Sequence, residues 1–259
     1  IGRRLDELTN VVTGKTTAAF EPALDYVVAK IPRWPFDKFR RADRSLGTQM
    51  KATGEVMAID RSFAAALQKA ARSLETDASD LMWENAAWSD PERLASDVRT
   101  ANDERLWAVA ASLRRGVAEA TISQESGIDR WFVRELARIV ATEDAISVEP
   151  LTDHALWSAK RAGFSDAQIG RLRNAPAVEI REQRYAAGIV PVYKMVDTCA
   201  AEFEAATPYY YSTYEEENEA QPLSGPKAVV IGSGPGGIQV SSSLRALGVE
   251  VATISSDPG

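Results

Sequence analysis

The feature that most constrains this chain is a change of period along it. From about residue 76 to 191 apolar residues recur at helical spacing and strand signals nearly vanish. Leu106, Val109, Ala110, Leu113 and Val117 form one amphipathic stripe. Trp131, Phe132, Leu136, Ile139 and Val140 form another, with Asp129 placed as its N-cap. Thr152 can cap a segment running through Lys160, which Gly163 can end. Ser165 and Gln168 read as a capping box for the next short helix. Short helices on short connections imply a small helical domain.

On either side the pattern is different. LDYVVAKI (24–31), bounded by Pro22 and Pro32, and GEVMAI (54–59) read as strands. A helix follows over 62–74, with Phe63, Leu67, Ala70 and Leu74 on one face. Beyond the helical zone, 207–226 joins an aromatic cluster (Tyr209, Tyr210, Tyr211, Tyr214) to an acidic run and then to Pro, Ser and Gly, the composition of a domain boundary. From Lys227 a strand, a glycine loop, a helix to Leu247, Gly248 past its end and a strand VEVATI make one βαβ unit. The expected fold class is mixed, with a central all-α domain flanked by incomplete α/β pieces. The expected boundaries are 1–75, 76–206, 207–226 (a connector) and 227–259. The chain opens on Ile1 rather than Met and stops just after a strand-like run, so it reads as a fragment.

Composition narrows the function. The 259 residues are 45% hydrophobic and 26% charged, the balance of a globular chain, with a net charge of −7. An acidic surface argues against broad binding to nucleic acid or anionic membrane. No apolar run approaches the ~20 residues that span a bilayer. One cysteine, Cys199, and one histidine, His154, leave no internal disulfide and no conventional zinc site, and point to a reducing compartment.

Several motifs invite functional readings, each with a plainer rival. Gly232, Gly234 and Gly237 fit G-x-G-x-x-G between strand and helix, which would place a phosphate on helix N–H groups in a flavin or nicotinamide oxidoreductase. Ser255 stands where that fingerprint wants an acid, Asp257 lies two beyond, and such turns also join strand to helix where nothing binds. Arg130, Arg134 and Arg138 share one helix face and could meet phosphates, but Glu135 and the acidic net charge favour a solvated stripe in a helix hairpin. His154 reads as a surface or packing residue and Cys199 as a packed thiol. The tyrosine cluster reads as an anchor for the connector, and Glu215, Glu216 and Glu217 as solvated charge.

Longer stretches are more specific. TGKTTAAFEPALDYVVAKIPRWPFDKF (13–39), LGTQMKATGEVMAIDRSF (46–63), SGIDRWFVRELARIV (126–140), AKRAGFSDAQIGRL (159–172), VYKMVDTCAAEFEAATPYYYSTYEEENEA (192–220) and KAVVIGSGP (227–235) resemble, in order, the large chain of carbamoyl phosphate synthetase. Residues 76–105 add nothing to the likeness. The resemblance implies the end of a first ATP-grasp unit, a helical oligomerisation domain, a connector, and the Rossmann-like start of a second unit. It implies a cytoplasmic ligase that makes carbamoyl phosphate from bicarbonate, ammonia and two ATP, for arginine and pyrimidine synthesis. It also implies Mg or Mn with K, and a glutaminase small subunit or domain that releases the ammonia. The family's nucleotide and metal ligands fall outside this segment, so no catalytic residue, metal ligand or cofactor is expected on it, and alone it is expected to be inactive. Its expected roles are self-association through the helical domain and connection between units. A purely non-catalytic assembly module is the rival. Glu55 matches a glutamate that lines the family's carbamate tunnel. The chain departs from the family at Asp60, where glycine is usual, at Arg40 and Arg41, where Pro-Gly is usual, in GGIQVSSS (236–243), which lacks the family's acidic loop, and at 255–259, where an Asn-Pro-Glu turn is usual, so that two further tunnel glutamates are missing.

Overall fold

The computed structural model describes residues 2–11, 14, 16–21, 24–39, 41–76, 78–196, 209–220, 225–231 and 235–254. Strands β1 (Val27–Arg33) and β2 (Gly54–Asp60) pair antiparallel, from Val27 opposite Asp60 to Arg33 opposite Gly54. β1 runs two residues past the expected Ile31 and through Pro32. Among the described residues it has one neighbouring strand, and an edge is where a sheet tolerates proline. Helix α1 (Phe63–Arg72) follows at once, with Ser62 Oγ accepting from the Ala65 N–H. Its small-residue face, with Ala65, Ala66, Ala70 and Ala71, is buried.

The helical zone holds α2 (Pro91–Arg99), α3 (Arg105–Arg114), α4 (Glu119–Ser126), α5 (Arg130–Val148), α6 (Asp153–Arg161), α7 (Asp166–Arg173) and α8 (Ala177–Ala186). The caps on Asp129, Thr152 and the Ser165–Gln168 box form as the sequence predicts. Three stripe positions differ. Val117 lies beyond α3, which stops before Gly116 in the left-handed region (φ 77°), and its side chain is exposed. Trp131 and Phe132 sit in the first turn of α5 and are 48% and 46% exposed, whereas Val133, Leu136, Ile139 and Val140 are buried. The exposed pair packs edge-on to itself and against Phe63, with ring centroids 5.0, 5.2 and 5.7 Å apart.

Residues 76–105, silent in the sequence, hold an aromatic cluster. Trp83 meets Trp88 and Trp107 edge-to-face, at 5.6 and 6.3 Å. The buried indoles are satisfied, since Trp88 Nε1 donates to Asp97 and Trp107 Nε1 to the Asp80 carbonyl. Behind them Arg114 bonds both oxygens of buried Glu143, at 2.6 and 2.9 Å. Burial pushes the Glu143 carboxyl above its ordinary value even with Arg114 beside it.

One apolar core joins the two pieces. It runs from Ile31 and Ala58 through Leu67 and Ala70 to Leu156, Ile169 and Ile180. The join is tight. Gly163, at φ 93°, ends α6 so close to α1 that a Cβ there would lie 2.6 Å from Ala65 Cα. Gln68, fully buried on α1, donates to the Ala162 carbonyl and accepts from Gln168 Nε2, both at 2.8 Å.

The connector returns to this body. Strand β3 (Val192–Met195) pairs antiparallel with β4 (Tyr210–Thr213), which lies within 207–226. Tyr211 and Thr213 are buried, and Tyr211 meets Tyr26 at 6.0 Å. Thr213 Oγ1 donates to Asp60 at 2.8 Å, Lys69 pairs with Asp60 at 2.8 Å, and Lys69 also donates to the Ser212 carbonyl. The acidic run is not uniformly solvated. Glu215 is 21% exposed and pairs with Arg161 at 2.8 Å, whereas Glu217 projects into solvent, 3.7 Å from Lys194. Further on, β5 (Lys227–Ile231) and β6 (Glu250–Ile254) pair in parallel across α9 (Pro235–Ala246), the expected βαβ unit.

Asp166, in the first turn of α7, ties α6 to α8. It accepts from Lys160 at 2.7 Å and Arg184 at 3.2 Å, with Arg181 at 3.8 Å. Burial works to raise its pKa, but the hydrogen bonds and charges of Lys160 and Arg184 outweigh it and hold the carboxyl below its usual value.

Three outcomes follow from this packing. Gly163→Ala combines a left-handed backbone with a backbone clash and is expected to cost about 2–5 kcal/mol in urea unfolding. Asp60→Ala leaves Lys69 and Thr213 without their partner and is expected to cost about 2–3 kcal/mol. Asp166 has a depressed folded pKa, so its contribution is present above the unfolded value of about 3.9 and is lost as pH falls through the lower folded value. The stability gap between the parent chain and Asp166→Asn should therefore be widest at neutral pH and narrow below about pH 4, as chemical denaturation across pH would show.

Candidate functional site

The residues singled out in the sequence do not converge on one site. Glu55 is the second residue of β2, opposite Pro32, with its side chain 56% exposed. It pairs with Lys30 of β1 at 2.5 Å. Gly232 and Gly234 lie outside the described residues, as do Cys199, Ser255 and Asp257. Gly237 is the third residue of α9, within its first turn. Of the three aligned arginines, Arg138 pairs with Glu135 at 2.5 Å and Arg134 lies 4.0 Å from Glu119, so the stripe is partly neutralised. His154 stacks on Trp157 across 6.4 Å.

One polar site comes from residues that no sequence motif brought together. A cavity of about 350 Å³ lies where the last turn of α1, the α6–α7 turn, the start of α8 and strand β4 meet. Its charged lining is Lys69 and Arg72 from α1, Lys160 from α6, Arg181 from α8, and the carboxylates Asp60 and Asp166. Ser212 and Tyr214 of the connector complete one wall, and the Tyr214 ring lies 5.1 Å from Lys160 Nζ. Burial pushes the Tyr214 phenol above its ordinary value against the opposing charge of Arg184, and burial, helped by the charges of Arg184 and Arg72, pushes the Lys160 amine below its own despite Asp166. One signal was available in the sequence. Lys69 and Arg72 stand three apart in a helix otherwise built of Ala, Leu, Gln and Phe, so both leave the helix over one edge.

A second cavity, of about 360 Å³, is walled by Trp34, Phe36, Trp83 and Trp107. Its cations are matched within it, Arg33 by Asp37 at 2.8 Å and Arg44 by Asp103 and Glu104 at 2.7 and 2.5 Å. Among the described residues no group of three His, Cys, Asp or Glu side chains could hold a metal ion, and no helix is long and apolar enough to cross a membrane.

Comparison with known proteins gives the site its context. Residues 55–188 match the family model of the carbamoyl-phosphate synthetase large chain, oligomerisation domain. Over 235 residues the chain is 64% identical to the carbamoyl phosphate synthase large chain of Thermomicrobium roseum. Over the same length it is 53% identical to the large chains of Caldanaerobacter subterraneus and Thermoanaerobacter pseudethanolicus. Each match covers 91% of this chain and 22% of the relative, so the chain spans about a fifth of the length of these proteins. The matched span starts in β2 and takes in α1 and the whole helical zone, the same residues that share one core. The chain belongs to the carbamoyl-phosphate synthetase large chain family.

Proposed function

We propose that this chain is the assembly and connecting segment of a large chain that makes carbamoyl phosphate from bicarbonate, ammonia and two ATP. The observation that carries the reading is the oligomerisation-domain match, laid over a helical body that keeps two neighbouring aromatic residues in solvent. In this reading residues 1–75 close a first ATP-grasp unit, 76–206 associate with a second copy, 207–226 connect, and 227–259 open a second unit. The parallel pair β5–β6 supports the last part. Val229 and Ile231 on β5 are exposed, and parallel sheets are normally covered on both faces, so further strands and helices of such a unit would bury them. The parent enzyme would take its ammonia from a glutaminase subunit or domain and use Mg or Mn with K. It would work in the cytoplasm, supplying arginine and pyrimidine synthesis. Glu55, opened from Lys30, would present a carboxylate to carbamate in transit.

The surface we assign to self-association is the Phe63, Trp131 and Phe132 cluster. Rigid aromatic side chains of this kind carry most of the affinity of an interface when a partner covers them. Multi-angle light scattering of the 259-residue chain should show mass rising with concentration. Trp131→Ser together with Phe132→Ser should weaken association by about tenfold or more. A strict monomer at high concentration overturns the assembly role, and an unchanged association constant in the double variant moves the interface elsewhere. The chain alone is expected to show no bicarbonate-dependent ATP hydrolysis, checked by phosphate release. Turnover there would place catalytic residues within these 259 positions.

A further inference from the structure

We propose that the cavity beneath the connector is a binding site for a small, multiply charged oxyanion of the phosphate class, held by Arg72, Lys69, Lys160 and Arg181. The inference does not depend on the assembly reading.

The argument begins with the charges that line the cavity. Four cations face two carboxylates. Both carboxylates are already engaged. Asp60 is bound by Lys69, by Thr213 Oγ1 and by the Arg61 N–H. Asp166 is bound by Lys160 and Arg184, with Arg181 nearby. Asp80, whose charge also reaches Arg72, is itself paired with Arg171. Arg72 is left with neutral acceptors. Its Nη1 donates to the Gly163 carbonyl at 2.7 Å and to Gln168 Oε1 at 3.1 Å. Among the described residues no carboxylate pairs with it.

A guanidinium held largely out of water without a counter-charge is expensive, and proteins usually pair it. Burial pushes the Arg72 pKa below its ordinary value, the direction expected of a charge short of compensation. The second cavity shows the contrast, because there each arginine has a carboxylate within 2.8 Å. Beneath the connector, by contrast, positive charge exceeds its partners and faces an open space.

The chemistry of the wall narrows the ligand. Guanidinium and ammonium donors from three helices surround one volume, which suits a compact anion accepting on several oxygens. About 350 Å³ lies at the low end of ligand-site volumes, enough for phosphate or a small phosphate monoester. The N-terminus of α7, at Ser165 and Asp166, also lines the space, and its dipole favours an anion while the Asp166 carboxylate opposes one. The lone pairs of Asp166 are largely spent on Lys160 and Arg184, so that opposition is reduced.

The test is isothermal titration calorimetry of the 259-residue chain with sodium phosphate at fixed ionic strength, with chloride as the balancing salt. Methyl phosphate forms a second arm. Saturable binding is expected at one site per chain. Comparable affinity for methyl phosphate assigns the site to monoesters, and markedly weaker binding assigns it to free phosphate. Arg72→Gln should weaken binding by about tenfold or more, and Arg181→Gln by several-fold. Asp60→Asn removes an opposing charge and should tighten it. Circular dichroism establishes that each variant is folded. Arg181 is more than half exposed, so its substitution keeps the test valid if Arg72→Gln unfolds. No binding heat beyond chloride overturns the proposal. So does equal phosphate affinity in the parent, Arg181→Gln and Asp60→Asn chains, which would place the anion elsewhere on the surface.

Discussion

The contact between Gly163 and Ala65 is the constraint on which the rest of the structure depends. It sets α1 against the α6–α7 turn at a distance that admits no side chain. At that distance Gln68 reaches both the Ala162 carbonyl and Gln168, and Arg72 reaches the Gly163 carbonyl. A buried amide left with half its bonds would cost free energy comparable to a lost hydrogen bond or more. Gln68 and Gln168 therefore work as a register device. An apolar pair would tolerate sliding of α1 along the helical layer, whereas the amide pair is satisfied in one position. Helix α1 also packs against β1 and β2, so the same contact helps fix where β2, Glu55 and Asp60 stand relative to the helical domain.

Around this join, charge is arranged in depth. Asp166 binds Lys160 and Arg184, and Arg114 binds Glu143, where little water reaches. Buried pairs of this kind add little net stability against an apolar replacement, because desolvation offsets much of the attraction. They do penalise misplacement, since one displaced partner leaves a buried charge alone. The polar groups thus specify arrangement, and the alanine-rich face of α1 with Leu156 and Ile169 supplies the burial that drives collapse.

Much of the helical layer was legible in the sequence because its signals are local. Asp129, Thr152 and the Ser165–Gln168 pair cap helices through bonds spanning two or three residues. What escaped were features that depend on distant partners. Trp83, Trp88 and Trp107 sit on separate elements and meet only when the chain is folded. Trp131 and Phe132 fall near the core face by period but project past the end of the packed layer onto Phe63, so periodicity overstated their burial. The 207–226 segment has the composition of a linker, yet Tyr211 and Thr213 are buried because β3, Asp60 and Lys69 wait for them. The cavity was hidden for the same reason, as its four cations come from three helices, α1, α6 and α8, that are far apart in sequence.

Asp60 shows how a buried charge can be absorbed. This chain places a carboxylate at the end of β2 and buries it. An isolated buried carboxylate would be strongly unfavourable, but this one meets an ammonium, a hydroxyl and a backbone N–H. Two of those partners have consequences beyond local stability. Thr213 belongs to the connector, so the carboxylate fastens that strand to the α/β piece through a bond glycine could not make. Lys69 belongs to the cavity, so the same carboxylate neutralises one of its cations and lowers the positive potential there. Glycine at this position would release the connector at one point and strengthen the cavity's pull on an anion. In this chain, then, connector attachment and cavity charge are set by one side chain, and a change at residue 60 cannot alter one without the other.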